Sequence, residues 1–268
     1  RSCEARARRD RAHWRRRCAP LAARSRSLAA LSAFPQAISI LDAGSLREGT
    51  ELLATRVTFC IASERFARQV ADKQKTSQRG ISRKSQNETA QISLSTSKAM
   101  KDMSPQEHQT DILLRYASLL LSILLEWGIR IPTITLGEQG CCFAALPSDS
   151  HLFSLSNSEA FLSTSPPLEG PACYHLEAYP VQAVDTTGAG DIFHGACAAA
   201  LLWGYPYAEA LRIASLAAAI SVQQFGGRPS IPPSADILAL ARTWKPTWHP
   251  LPLFLYPENQ SKAGGTYE

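Results

Sequence analysis

The chain has 268 residues, of which 45% are hydrophobic and 19% are charged, a composition typical of a globular protein with one large domain or two small ones. Its longest apolar stretch, residues 112–127, is interrupted by Arg115 and Glu126, so no transmembrane helix is expected. The formal net charge is +5, but residues 1–36 alone carry +8 from ten Arg against Glu4 and Asp10, which leaves −3 on residues 37–268. This balance argues against a nucleic-acid-binding surface outside the amino-terminal segment.

The Arg-rich segment, residues 1–36, is predicted to be disordered. Its composition leaves three alternatives open: a remnant of an organellar transit peptide, an arm that binds nucleic acid or membrane, or a disordered or wrongly predicted amino-terminal segment of an incomplete chain. The seven cysteines are odd in number and lack C-x-x-C spacing, which favours reduced thiols in a cytosol-like compartment. A cytoplasmic location is therefore expected, with a plastid or another organelle as the alternative if the segment is a transit-peptide remnant.

Strand and helix patterns alternate from residue 37 onward. Residues 37–41 are apolar and β-branched, which predicts a buried strand, and a helix at 48–54 and a strand at 57–62 follow. Ser63 is the predicted N-cap of the next helix. Residues 72–105 lack apolar periodicity and aromatic side chains, and are predicted to be a mobile insertion.

The second half of the chain continues the alternation. A helix with one apolar face is predicted from residue 107, and it ends at Gly128. Strands are predicted at 131–136, 141–146 and 174–184, and helices at 191–203, at 207–224 and after Pro233 with Ser234 as N-cap. The pattern predicts an α/β fold, a three-layer α/β/α core over residues 37–242 with a mostly parallel sheet. Residues 243–268 are Pro-rich and are predicted to be a carboxy-terminal tail that packs loosely.

Residues 185–191, with the sequence DTTGAGD, carry the strongest functional signal. A strand pattern leads into a glycine-bearing turn that opens a helix, and the free N–H groups of such a helix start bind anions. Gly188 and Gly190 permit a close approach of the backbone to the anion. Asp191 would repel a resting phosphate, so its presence predicts that it removes a proton from a hydroxyl that attacks a phosphoryl group. Asp185 and Thr187 offer oxygen ligands for a hard cation.

Two nucleotide-binding motifs do not fit this segment. A dinucleotide fingerprint is excluded because Phe193 stands where its third glycine belongs, and no Gly-Lys-Ser/Thr triplet exists for a Walker P-loop. The alternative for Asp191 is a carboxylate that merely stabilises the helix dipole, worth about 0.3–1 kcal/mol. His194 is predicted to lie on the helix surface.

The segment DTTGAGDIFHG at residues 185–195 resembles the carboxy-terminal signature of the ribokinase-like, pfkB-type family of carbohydrate and nucleoside kinases. Residues 135–140, TLGEQG, resemble that family's turn beside the nucleotide, and residues 225–230, FGGRPS, resemble its loop on the far side of the adenine pocket. Residues 41–47 are similar to a strand-to-loop segment of its sugar-kinase members. The resemblance covers about residues 37–242.

The resemblance implies a role for each matching residue. Asp191 would be the catalytic base, and the amides of Gly188, Ala189 and Gly190 would form the anion hole for the transferred phosphoryl group. The nucleotide pocket would be shaped by Thr135, Gly137, Gly140, Gly226 and Gly227. ATP would bring Mg²⁺, and Asp185 and Thr187 would hold a monovalent cation such as K⁺. The acceptor would be a sugar-like small molecule.

The sequence departs from the family pattern at two places, and these departures leave two functions open. Where members place N-x-x-E, this chain has Ser63 and Phe66. The family's amino-terminal strands, its sugar-binding acid and its β lid have no counterpart before Ala37. The sequence therefore predicts an ATP-dependent kinase of sugar-like hydroxyls, with a catalytically impaired nucleotide-binding or scaffold relative as the alternative. Because family dimers use the lid, a homodimer and a monomer both stay open.

Overall fold

The computed structural model describes residues 26–78, 105–153 and 170–254. Its helices are α1 over residues 26–33, α2 Glu48–Ala54, α3 Glu64–Gln78, α4 Pro105–Glu126, α5 Ala189–Leu202, α6 Tyr207–Ser221 and α7 Ser234–Thr243. Its strands are β1 Ile40–Ala43, β2 Phe59–Ser63, β3 Ile131–Thr135, β4 Cys141–Ala145, β5 Ala172–Leu176 and β6 Trp248–Leu251. Short 3₁₀ helices span Gly137–Gln139 and Pro147–Phe153. Within these ranges, every helix is too short or too polar to cross a membrane.

The six strands form one sheet in the order in which they occur in the chain. The β1–β2 and β2–β3 pairs are parallel, whereas the β3–β4, β4–β5 and β5–β6 pairs are antiparallel. Strands β1, β2, β3 and β5 consequently run in the same direction, so the predicted mostly parallel sheet is confirmed for strand direction. The pairing changes after β3 because residues 136–140 are too few for the crossover that a parallel neighbour requires.

Helices cover both faces of the sheet, which confirms the three-layer α/β/α architecture. Side chains alternate between the faces along each strand, so Ile61 of β2 faces α5, α6 and α7 while Cys60 faces α2, α3 and α4. Tyr207 of α6 is fully buried on the first face, where its ring stacks on Phe59 with centroids 3.9 Å apart. Leu121 of α4 is fully buried on the second face. Two apolar cores therefore hold the sheet from either side.

Two predicted irregular segments are shorter than expected. Residues 72–78 continue α3, and Lys73 in this stretch pairs with Glu51 of α2, so the start of the predicted insertion is wrong; residues 79–104 lie outside the described residues. The prediction of disorder for the Arg-rich segment is wrong for residues 26–33, which are helical and pack Leu31 against the second core. Residues 1–25 lie outside the described residues.

The predicted carboxy-terminal tail contributes to the core. Strand β6 pairs with β5, and Trp248 is buried with its ring 5.5 Å from that of Phe143 in an edge-on arrangement. The amide of Phe254 donates to Ser122 Oγ at 2.9 Å. The core therefore extends beyond residue 242, and loose packing is wrong for residues 248–254. Proline suggested an irregular segment, but β6 is an edge strand, where Pro250 is tolerated.

The predictions made from local signals at helix starts and strand ends are partly confirmed. The amide of Phe66 donates to Ser63 Oγ at 3.2 Å, which confirms Ser63 as the cap of α3. Ser234 is not a cap, because Pro233 occupies the N-cap position of α7. The strand predicted at 174–184 ends at Leu176, and an irregular segment then leads to the turn at residue 185.

Candidate active site

The turn that precedes α5 has the backbone geometry of an anion-binding helix start. Gly188 is the N-cap and has a φ of 79°, in the left-handed region that side chains disfavour. The carbonyl of Gly188 accepts the Ile192 amide at 2.9 Å, which starts the helix. A Cβ on Gly188 would lie 3.3 Å from Cα of Gly227, so a side chain at this position would also crowd the neighbouring loop.

The three amides predicted to form the anion hole are not equivalent. The amide of Ala189 donates to the carbonyl of Thr186 at 3.2 Å, so it is committed within the turn, contrary to the expectation that it is free. The amides of Gly188 and Gly190 donate to no group within residues 26–78, 105–153 and 170–254. Since the helix dipole adds partial positive charge here, these two amides are the ones available to an anion.

Asp185 fastens the turn to the loop at residues 225–230. Its Oδ1 accepts the Thr187 amide at 2.9 Å and its Oδ2 accepts the Gly226 amide at 2.8 Å. The Gly226 amide, followed by the Thr187 amide and hydroxyl, lowers the pKa of Asp185 below its ordinary value. The carboxylate thus stays ionised and connects two segments 41 residues apart. The described ranges contain no group of three or more His, Cys, Asp or Glu side chains placed to hold a metal ion.

The turn stands between two clefts. The first, here called the glycine-loop cleft, has a volume of about 630 Å³. It is lined by the loop of residues 135–140, by residues of the 178–183 segment, by Thr186, Ala189, Gly190 and Phe193, and by Ser215, Ala218, Ala219 and Val222 of the α6 region. The second, here called the acid cleft, has a volume of about 600 Å³. It is lined by Thr187, Gly188 and Asp191, by apolar side chains of α5, α6 and α7, and by Gly227 and Arg228.

The structure therefore brings together only part of the predicted nucleotide pocket. Thr135, Gly137 and Gly140 line the glycine-loop cleft, and Ala189 and Gly190 of the turn lie at the same cleft. Two further predicted residues are elsewhere. Gly227 lines the acid cleft and Gly226 lines neither cleft, because Asp185 binds their loop to the opposite side of the turn.

The loop at 135–140 is seated directly on strand β5. Gly140 has a φ of 84°, and a Cβ there would lie 2.0 Å from the carbonyl oxygen of Leu176. The amide of Leu136 donates to the Gly140 carbonyl at 2.8 Å, which closes the loop around the 3₁₀ turn. Gly137 also has a positive φ, of 61°, but nothing lies within 4 Å of its hypothetical Cβ.

These two glycines make a matched pair for a stability prediction. Gly140→Ala is expected to lower the free energy of unfolding by about 3 kcal/mol, because the new Cβ adds a backbone collision to the strain of a positive φ. Gly137→Ala should cost only about 1 kcal/mol, since it adds strain alone. Urea unfolding followed by circular dichroism measures both values. Equal losses for the two variants would contradict the seating of Gly140 on β5.

His194 does not lie on the helix surface as predicted. Its ring is mostly buried, with Nδ1 2.6 Å from the Gly190 carbonyl and Nε2 3.3 Å from the Ile61 carbonyl and 3.4 Å from Asp42 Oδ1. The side chain thus connects the first turn of α5 to the carboxyl ends of β1 and β2. Nothing local in the sequence signals the contact with the two strands, because Ile61 lies 133 residues away from His194.

The positions that depart from the family pattern have structural uses. Ser63 caps α3 and also donates to the Gly44 carbonyl at 2.8 Å. Phe66 is fully buried, with its ring tilted against Trp127 at a centroid distance of 6.4 Å. Neither position therefore offers a carboxylate for magnesium.

The fold and the turn define an α/β protein in which the Gly188 and Gly190 amides at the start of α5 have no partner among the described residues, and comparison with known proteins shows which family it resembles. Residues 116–234 match the pfkB family carbohydrate kinases. The chain is 33% identical over 143 residues to the ribokinase of Schizosaccharomyces pombe, which is 50% of this chain and 38% of that protein. It is 37% identical over 118 residues to the ribokinase of Mus musculus, covering 43% of this chain and 29% of that protein. The chain spans less than half the length of these curated relatives.

Solved ribokinases resemble the chain more remotely. A ribokinase from Cryptococcus neoformans var. grubii in complex with ADP is 18% identical with a TM-score of 0.47, covering 81% of this chain and 57% of that one. The ribokinase of Arabidopsis thaliana, complexed with ribose and ATP, is 20% identical with a TM-score of 0.43, covering 76% of this chain and 47% of that one.

Proposed function

We propose that this chain is the core of an ATP-dependent kinase that phosphorylates a hydroxyl of a sugar or a related small molecule. One observation carries the proposal. The turn at residues 185–191 presents two free amides, those of Gly188 and Gly190, between two clefts, and Asp191 lines the cleft opposite the glycine loop. An anion cradle with a carboxylate on one side has the layout that phosphoryl transfer to a hydroxyl requires.

The glycine-loop cleft suits a nucleotide. Its volume of about 630 Å³ is within the range of small-molecule sites, and its α6 wall consists of small residues such as Ala218 and Ala219. The amide of Gly190 lies at the end of this cleft nearest the turn, where phosphates would meet the positive end of α5. ATP would therefore lie with its base toward α6 and its terminal phosphate at the turn.

The acid cleft suits the acceptor. Asp191 would accept the proton of the acceptor hydroxyl while the hydroxyl oxygen forms a bond to the terminal phosphorus of ATP. The bond from that phosphorus to the bridging oxygen breaks, and ADP carries away the electron pair. The amides of Gly188 and Gly190 would stabilise the charge on the transferred group, so the chain contributes mainly positioning and electrostatic stabilisation.

Two cations would bind beside the turn in the proposed site. Mg²⁺ bound to ATP neutralises phosphate charge and needs one or two carboxylates from the protein, and Glu138 is the carboxylate that lines the glycine-loop cleft. Asp185 and Thr187 would hold K⁺, because an ionised carboxylate with two amide donors keeps lone pairs for a cation.

The proposal is tested by incubating the full chain with ATP, Mg²⁺ and K⁺ and a panel of sugars and nucleosides, with ³¹P NMR to follow ADP and the phosphorylated product. ADP should form only when an acceptor is present. Binding of ATP without turnover on any acceptor would contradict the kinase proposal.

The second candidate function is that of a nucleotide-binding or scaffold relative without catalysis. Buried Phe66 favours it, because no carboxylate stands at the position that organises magnesium in the family pattern. Calorimetry distinguishes the two candidates: this alternative predicts saturable ATP binding that no acceptor converts into turnover.

A further inference from the structure

A buried histidine on β5 supports the glycine loop although it does not line the cleft. The side chain of His175 is on the second face of the sheet and the residue is only 3% exposed. Its Nε2 lies 2.6 Å from the carbonyl oxygen of Gln139, the last residue of the 3₁₀ turn and the residue before Gly140. A short hydrogen bond to the main chain therefore links strand β5 to the loop that forms one wall of the cleft.

The loop has two attachments to β5, and they are adjacent. Gly140 rests against the Leu176 carbonyl, and the Gln139 carbonyl accepts a hydrogen bond from His175, the strand residue before Leu176. The first attachment is a packing contact that fixes how closely the loop approaches the strand. The second is directional, because a hydrogen bond restrains the orientation of the carbonyl and hence of the peptide planes on either side.

The surroundings of His175 select one tautomer. Its Nδ1 is buried and has no hydrogen-bond partner among the residues that the structure describes. A proton on Nδ1 would be a buried donor without an acceptor, whereas a bare Nδ1 leaves only an unused lone pair. The neutral ring with its proton on Nε2 satisfies the contact to Gln139.

We propose that neutral His175 is a positioning residue, which holds the Gln139 carbonyl and thereby sets the nucleotide affinity of the glycine-loop cleft. The inference rests on the proposed function, because it takes that cleft to be the nucleotide site. It assigns a role to a side chain outside the family motifs at residues 135–140 and 185–191.

The charged and titratable neighbours predict a pH dependence. His249 faces His175 across the β5–β6 pair with ring centroids 6.0 Å apart, Glu177 pairs with His249 at 3.2 Å, and Cys142 is the register partner on β4. Burial is the main cause that lowers the pKa of His175, and the hydrogen bond to Gln139 partly offsets it by raising the pKa. Of the charged neighbours, His249 lowers the pKa and Glu177 raises it. Because the folded-state pKa is below the unfolded value of about 6.5, the neutral form is favoured by folding. The stabilisation that neutral His175 gives to the loop is therefore complete above the unfolded-state pKa. It is lost as the pH falls through the lowered pKa of the folded state.

The test uses a matched pair of variants in the full chain. Gln places an amide N–H where Nε2 stands, and Met has a similar shape without a donor. The probe is the non-hydrolysable ATP analogue adenosine 5′-(β,γ-imido)triphosphate with Mg²⁺, titrated by calorimetry at pH 7.5. His175→Met should weaken binding about tenfold, whereas His175→Gln should stay within about twofold of wild type. His249→Gln is the control and should bind as wild type does, since His249 does not contact the loop carbonyl.

The outcomes separate this inference from the proposed function. If the wild type fails to bind the analogue, the proposed function is overturned and the nucleotide role of His175 with it. If the wild type and His175→Met bind equally well, only the inference is overturned. Should the Met variant not fold, ¹⁵N NMR of wild-type histidines decides: a proton on Nε2 of His175 at pH 7.5 supports the inference, and a proton on Nδ1 overturns it.

Discussion

Replacing Asp191 with Asn is expected to lower kcat for phosphoryl transfer by about a thousandfold, within the range measured for losing a general base. The amide keeps the size and polarity of the side chain but cannot accept the acceptor's proton. Nucleotide affinity should stay within about twofold of wild type, because Asp191 lines the acid cleft and not the glycine-loop cleft. Steady-state kinetics with the acceptor found in the panel, together with calorimetry of the ATP analogue, measures both quantities.

A second aspartate provides the control for a helix-dipole role. Asp236 lies in the first turn of α7 as Asp191 lies in the first turn of α5, and both are exposed. Each Asp→Asn change should reduce stability by a similar small amount, about 0.3–1 kcal/mol. Only the change at Asp191 should affect kcat. Turnover at the wild-type rate in Asp191→Asn would overturn the assignment of the base.

Replacing Arg212 with Met is expected to lower the free energy of unfolding by about 4 kcal/mol. Arg212 is fully buried in α6, and its Nε and Nη2 donate to Glu209 at 2.9 and 2.7 Å. Its Nη1 donates to the carbonyls of Ala241 and Trp244 at 2.6 and 2.7 Å, at the end of α7. Met fills the space of the stem but removes the guanidinium from a buried carboxylate and removes the donor from two main-chain acceptors.

The experiment is urea unfolding of the full chain, with Arg242→Met as the control. Arg242 lies in the last turn of α7 and is exposed, so its replacement should change stability by less than about 0.5 kcal/mol. The double variant Glu209→Leu with Arg212→Met should recover part of the loss, because it removes the buried carboxylate as well. A loss below about 1 kcal/mol in Arg212→Met would show that this buried ion pair does not hold α6 to α7.

The sequence predicted those structural elements that depend only on residues close to one another in the chain. The alternation of strand and helix, the N-cap at Ser63 and the glycine turn at 188 each depend on neighbouring side chains and backbone geometry, and the structure confirms them. Strand β6 was not predicted, because Pro250 is compatible with a strand only at the edge of a sheet. Its place at the edge depends on the whole topology, which no short segment encodes.

Which residues come together in the site depends on contacts between segments that are far apart in the sequence. The motifs indicated that Thr135, Gly137 and Gly140 shape one pocket, and the three residues line one cleft in the structure. The motifs could not show that Asp185 would draw Gly226 to the opposite side of the turn, since that contact spans 41 residues. The burial of His175 behind the glycine loop likewise depends on the pairing of β4, β5 and β6.

The most direct test of the central claim is to follow the amide resonances of residues 186–191 by ¹H–¹⁵N NMR while adding the Mg²⁺ complex of the ATP analogue to the full chain. The amides of Gly188 and Gly190 should shift strongly and saturably, and that of Ala189 should shift less because it donates to Thr186. Amides of the loop at 135–140 should respond with the same apparent Kd. Saturable binding that leaves Gly188 and Gly190 unchanged would contradict the claim that this turn receives the terminal phosphate.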